Sequence, residues 1–174
     1  VHYIGDMGST RSTGRRLFDY ITNGNLKWAP MNDEFDRAFI GDKTFGLKAG
    51  KVAYRQALVE AFPAEEQAID QYLAHMRSIK KAMQSHTIGK ITPAWLKKIL
   101  SLLSTSQAPK AFSQTTREVL ESLTDNQMLI AVLTCQWGDC GMPPAESSFV
   151  IHSLIAQHYM HGGYYPIGGA SKMA

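Results

Sequence analysis

The stretch Gly162-Gly163-Tyr164-Tyr165-Pro166-Ile167-Gly168-Gly169 sets the architecture. Its aromatic and β-branched centre favours an extended chain, and each end is closed by a glycine pair. It reads as a strand followed by a glycine turn. The chain opens the same way, with Val1-His2-Tyr3-Ile4 extended and Gly5-Asp6-Met7-Gly8-Ser9 as the turn after it. Strands at both ends are accommodated most simply in one sheet, and what lies between is then an excursion from that sheet. The expected fold class is α+β, a small antiparallel sheet with a mainly helical insertion of about six helices.

Working inward, Ser9, Thr10 or Ser12 can cap a helix through Arg15-Arg16-Leu17-Phe18 to Ile21, and Asn23-Gly24-Asn25 ends it. Leu26 to Met31, Phe35 to Ile40 and Thr44 to Leu47 read as short strands, the last two around a hairpin loop at Gly41-Asp42-Lys43. This meander is expected to pair with residues 1–4. From Val52 the period turns helical, and Pro63 breaks the first helix. Pro63-Ala64-Glu65-Glu66 starts a second, running to about Ser85. Its Ile69, Tyr72, Leu73, Met76, Ile79 and Met83 form one apolar stripe at steps of three and four, the pattern of core packing.

Thr92-Pro93 opens a further helix through Leu103, and residues 104–107 form a loop. Ser113 or Thr115 starts the next. Thr124-Asp125-Asn126 caps an apolar helix from Gln127 to Trp137. Residues 138–144 form an irregular loop, and a last helix runs from about Ala145 to His161. The division is 1–51 mostly sheet, 52–161 helical, and 162–174 a returning strand and glycine turn, ending in one turn of helix from Ala170. All of 1–174 is expected to form a single segment.

Of the 174 residues, 44% are hydrophobic and 19% charged, a balance that supports a packed core. The net charge of +3 is too small and scattered to indicate a nucleic-acid partner. The densest basic spots, Lys80-Lys81 and Lys97-Lys98, read as solvated helix faces. No apolar stretch approaches the roughly 20 residues that cross a bilayer, so no transmembrane segment is expected. Nothing at the start resembles a signal peptide. The expected location is cytoplasmic or peripheral membrane, with membrane-surface association and a homo-oligomer both compatible.

Motifs of established chemistry are sparse. G-x-G-x-x-G, the P-loop and G-x-S-x-G are absent, while Gly5 and Gly8 give only G-x-x-G before a helix. His152, His158 and His161 do not make H-E-x-x-H, and no carboxylate completes a metal set, so no metal is expected. Cys135 and Cys140 are two thiols spaced C-x4-C, too few for a disulfide framework or a zinc site. The paired glycines around Tyr164-Tyr165-Pro166 require either a sharp strand-to-helix turn or the close approach of a ligand to the backbone.

The tail nevertheless carries a resemblance. Gln136-Trp137-Gly138-Asp139, Pro143-Pro144, Ser147-Ser148-Phe149, His158-Tyr159 and Gly162 to Ser171 together resemble the retinol saturase and carotenoid isomerase branch of the phytoene desaturase family. His2-Tyr3-Ile4-Gly5-Asp6-Met7-Gly8 resembles a strand and turn of the same group. The two lie in the right order, and residues 52–130 match in helical character alone. The resemblance implies the substrate lobe of an amine-oxidase-like flavoprotein, acting with FAD on a polyene such as a carotenoid or retinoid. The flavin-binding domain, with its glycine fingerprint, is expected to be absent, so the chain alone should bind little flavin and be inactive. The resemblance places His2, Tyr3, Gly168 and Gly169 near the cofactor. It places Tyr165, Pro166, Trp137 and Gln136 near the substrate. Asp139 is instead expected to cap Gly141 or a neighbouring turn. The other readings are a stand-alone module that holds an apolar ligand without flavin, and an interaction domain.

Overall fold

A computed structural model describes residues 3–91 and 113–173. The helix expected from Thr92 to Leu103 and the loop at 104–107 lie outside these residues, as do Val1 and His2. Among the described residues the order is β1 (Ile4–Gly5), α1 (Thr13–Ile21), β2 (Trp28–Pro30), β3 (Glu34–Ile40), β4 (Lys43–Lys48), α2 (Lys51–Ala61), a 3-10 turn at Pro63–Glu65, and α3 (Glu66–Ile91). There follow α4 (Thr116–Glu121), α5 (Gln127–Leu133), α6 (Trp137–Cys140), α7 (Phe149–Tyr159), β5 (Gly163–Pro166) and a 3-10 turn at Ala170–Met173. This is an α+β fold with a small antiparallel sheet. No described helix is long and apolar enough to cross a membrane.

The chain divides into two compact units, Val1–Glu66 with Ile155–Ala174, and Gln67–Leu154. In the first, the two end strands do meet. β5 is central, antiparallel to β1 through Ile4↔Tyr164 and Gly5↔Gly163, and to β2 through Trp28↔Pro166, Ala29↔Tyr165 and Pro30↔Tyr164. The expected meander is not one sheet. β3 and β4 form a separate hairpin, while β2 pairs with β5, the Met31 N–H donating to the Gly163 carbonyl, and Pro30 has no N–H to offer a further strand. Within the hairpin, a register shift between Glu34 and Asp36 accompanies burial of Phe35, Ala38 and Leu47. Helix α2 buries Tyr54 and Leu58, and the Phe45 and Phe62 rings stack at 5.3 Å.

The second unit is helical. Ile69, Tyr72, Leu73, Met76 and Ile79 of α3 are buried as their spacing requires, and the helix runs past Ser85 to Ile91. Thr115 caps α4 in a reciprocal capping box with Glu118, and Asn126 caps α5 by accepting from the Met128 and Leu129 N–H groups. Two boundaries differ from the sequence reading. α5 stops at Leu133, where the Thr134 hydroxyl and N–H both bond the Ile130 carbonyl, and residues 137–140 form a turn of helix instead of loop. α7 begins at Phe149. The preceding residues are held in a turn by the Pro143 carbonyl, which accepts from the Glu146 and Ser147 N–H groups, and the Phe149 N–H is given to the Gln114 carbonyl.

Candidate functional site

β5 and the turn after it hold four of the eight sequence-indicated residues, within the first unit. Tyr165 is half-buried opposite Ala29, and Pro166 is buried opposite Trp28. The turn beyond is tied to its surroundings by the Ile167 N–H donating to the Lys27 carbonyl and the Gly169 N–H donating to the Pro166 carbonyl. Gly168 and Gly169 have φ of 91° and 90°, a region that side-chain-bearing residues avoid. A methyl group added at Gly169 would meet nothing within 4 Å, whereas one at Gly168 would press on the Lys172 side chain at 3.1 Å. The space beside the Gly169 backbone is therefore open, whereas that beside Gly168 is taken up by the Lys172 side chain.

Tyr3 reaches the same sheet but is committed to packing. Its ring lies 4.7 Å from that of Tyr159 and 6.3 Å from that of Phe35, and its hydroxyl donates to Asp36 Oδ2 at 3.2 Å. The glycines of the opening turn are likewise explained internally. A Cβ at Gly5 would collide with the His158 carbonyl oxygen, and one at Gly8 with the Tyr164 hydroxyl. G-x-x-G here is a close-packing device. His2 lies outside the described residues. Gln136 and Trp137 belong to the second unit, at the start of α6, with Gln136 half-buried and Trp137 exposed. At the end of α6 the Gly141 N–H donates to the Gly138 carbonyl.

Two features escaped the sequence reading. Among the described residues no acceptor meets the buried Trp28 indole N–H, on the strand that pairs with Tyr165 and Pro166. A buried donor left unsatisfied costs about 1–3 kcal/mol, so it is a natural handle for a polar atom of a ligand. In the second unit, the Tyr72 hydroxyl and His152 Nε2 are hydrogen-bonded at 2.9 Å, with the ring of Phe149 5.8 Å from the imidazole. Burial pushes the His152 pKa down to about 4, so the ring is neutral near pH 7. Beside this pair in sequence, the Ser147 carbonyl accepts from the Thr116 N–H at 2.8 Å, and the Ser147 and Thr116 hydroxyls bond at 2.8 Å. Pro143-Pro144 and Ser147-Ser148-Phe149 thus brace α4 against the start of α7. No spacing rule links Tyr72 to a histidine 80 positions away.

His158 lies where α7 ends beside β1. Its Nε2 accepts from the Gly5 N–H at 2.7 Å, and burial lowers its pKa, opposed by Asp6 and assisted by His161. Among the described residues no group of three or more His, Cys, Asp or Glu side chains is placed to hold a metal. Cys135 and Cys140 are unbridged, and burial and Asp139 raise the Cys140 pKa.

The whole chain aligns with curated proteins of known name. It is 36% identical over 182 positions to the all-trans-retinol 13,14-reductase of Homo sapiens and 33% identical to that of Danio rerio. A further Danio rerio protein, named inactive all-trans-retinol 13,14-reductase, is 29% identical. The chain spans about 30% of the length of these relatives. No family model and no solved structure matches it.

Proposed function

Since the chain belongs to the all-trans-retinol 13,14-reductase family, we propose that it is a substrate-side segment of an FAD-dependent oxidoreductase acting on a retinoid or related polyene, with the cofactor gripped mainly by polypeptide elsewhere. The observation that carries this is the alignment itself, complete along this chain yet covering only 30% of the relatives. When bound, the flavin would supply the redox chemistry. This chain's share is positional. The open backbone at Gly169 and the bend at Gly168 let a ring lie against the end of β5, with Tyr165 and Pro166 beside it. The buried Trp28 N–H offers a hydrogen bond there.

The test is a titration of the purified chain with FAD and, separately, with all-trans-retinol. A colourless protein that binds FAD weakly is expected, since the chain holds no glycine fingerprint to seat a pyrophosphate. Tight FAD binding would overturn the assignment of the cofactor grip to other polypeptide. A second reading, a lobe that holds an apolar ligand without redox chemistry, is favoured by the relative named inactive. Tight retinol binding without any flavin would select it.

A further inference from the structure

The turn after β1 is anchored from three elements at once, α7, α1 and β5. The Gly5 N–H donates to His158 Nε2 near the end of α7 at 2.7 Å. The Asp6 carbonyl accepts from the Ser12 hydroxyl, which caps α1, at 2.6 Å, and the Met7 carbonyl accepts from Arg15 Nη1 at 3.2 Å. Gly8 leaves no room for a side chain beside the Tyr164 hydroxyl of β5. Between these anchors Asp6 is held at φ of 56°, a left-handed conformation that Asp and Asn adopt more readily than other side-chain-bearing residues. Hydroxyl and guanidinium donors keep their charge in mildly acid water, whereas an imidazole does not. Of the three hydrogen bonds, only that of His158 can therefore be switched by a proton.

The surroundings of the ring indicate what a protonated His158 does. Nε2 accepts from Gly5, so the proton of the neutral ring lies on Nδ1. Protonation sets a second donor into the same 2.7 Å gap, and two donors cannot share it. The backbone has no room to adjust toward α7, since even a Cβ on Gly5 would collide with the His158 carbonyl oxygen. The side chain is the part that can turn. The titratable groups around it are Asp6 on the turn, Tyr159 beside it in α7, His161 just past that helix, and Tyr164 on β5, which packs on the same turn. Burial disfavours the charged ring, the Asp6 carboxylate favours it, and His161 disfavours it. Asp6 is the anion of this set, one residue past the amide that His158 holds. We propose that His158 is a two-position latch on β1: neutral, it holds the Gly5 N–H, and protonated, it turns its Nε2–H to the Asp6 carboxylate and frees the Gly5 amide. The latch is closed at neutral pH and opens as pH falls below the ordinary imidazole value of 6.5. β1 pairs with β5 through only Ile4 and Gly5, so losing this hold loosens the strand, while the pairing of β2 with β5 stays intact. The latch lies wholly within the first unit and is independent of the substrate assignment.

The experiment is NMR of the isotope-labelled intact chain across pH, reading the ring nitrogens of His158 and the protection of the Gly5 amide against hydrogen exchange. At neutral pH the ring is expected as the Nδ1–H tautomer with Nε2 unprotonated. On acidification the Gly5 protection factor should fall at least about tenfold, along the same curve as the ring titration, while the Tyr165 amide keeps its protection. Asp6→Asn removes the charge and keeps a side chain that tolerates the left-handed backbone. It should move the curve to lower pH, leaving about threefold more of the latched form at the wild-type midpoint. An Nε2–H tautomer at neutral pH, or Gly5 protection indifferent to the His158 titration, would overturn the latch. A curve unmoved in Asp6→Asn would overturn the partner exchange. The first two readings come from the wild-type chain and decide the matter even if the variant fails to fold. No flavin or retinoid is added, so failure here and failure of the substrate reading are separate results.

Discussion

His158 Nε2 accepts a hydrogen bond from the backbone N–H of Gly5 at 2.7 Å, joining the end of α7 to the first strand across 153 positions of sequence. An imidazole can accept at Nε2 only while that nitrogen is unprotonated. Part of the ring remains in contact with solvent, so it can be protonated without unfolding the unit.

His158 is therefore expected to make β1 acid-sensitive. Its pKa in the folded chain is below the unfolded value of about 6.5, so the unfolded state binds more protons as pH falls below that value. The contribution is present above about pH 6.5 and is lost as pH falls toward the folded pKa. Hydrogen exchange at the Gly5 amide should accelerate over this range in wild type. His158→Gln should flatten that dependence, and His158→Ala should cost about 1 kcal/mol at neutral pH. An unchanged Gly5 exchange profile in His158→Gln would remove His158 as the cause.

His152 gives the larger acid effect, by the same sign. With its pKa pushed down to about 4, stability should begin to fall below about pH 6.5 and continue falling to about pH 4, amounting to about 3 kcal/mol. Denaturant melts against pH for wild type and His152→Phe will show it as a slope that the variant loses. The variant also takes from the Tyr72 hydroxyl its histidine partner.

Gly5→Ala and Gly169→Ala should separate crowding from backbone strain. The first places a methyl group on the backbone carbonyl of His158, which cannot move without shifting α7, and should cost more than about 3 kcal/mol or prevent folding. The second has open space and pays only for φ of 90°, about 1–3 kcal/mol. Thermal melts rank them, and a Gly169→Ala cost above that of Gly5→Ala would contradict the packing described here.

Phe149→Ala should cost about 3–5 kcal/mol, because the ring is fully buried and touches Tyr72, His75 and His152. Thr115→Ala should cost about 1 kcal/mol by opening the capping box of α4. Measured unfolding free energies check both, and equal costs would show that the ring is less enclosed than the packing indicates.

Local chemistry along the chain determined a good deal by itself. Ser12, Thr115 and Asn126 cap the helices they precede, Pro63 ends α2, and the three- and four-residue steps from Ile69 to Ile79 mark the buried face of α3. Each of these signals is contained within a few turns of chain, where the sequence states the partners. The pairing of strands from the two ends was also legible, because both ends were extended and close in a single sheet most simply. The separation of the β3–β4 hairpin from the three-stranded sheet, in which β2 pairs with β5 and not with β3, was decided only in three dimensions. The same holds for the Tyr72–His152 bond, the His158–Gly5 bond and the buried Trp28 N–H, since burial and partnership at long range depend on how whole elements pack. Helix α1 shows the division most clearly. Its start and end could be read from local residues, but which side turns outward was fixed by Phe18 meeting Trp28 and Arg15 reaching the Met7 carbonyl.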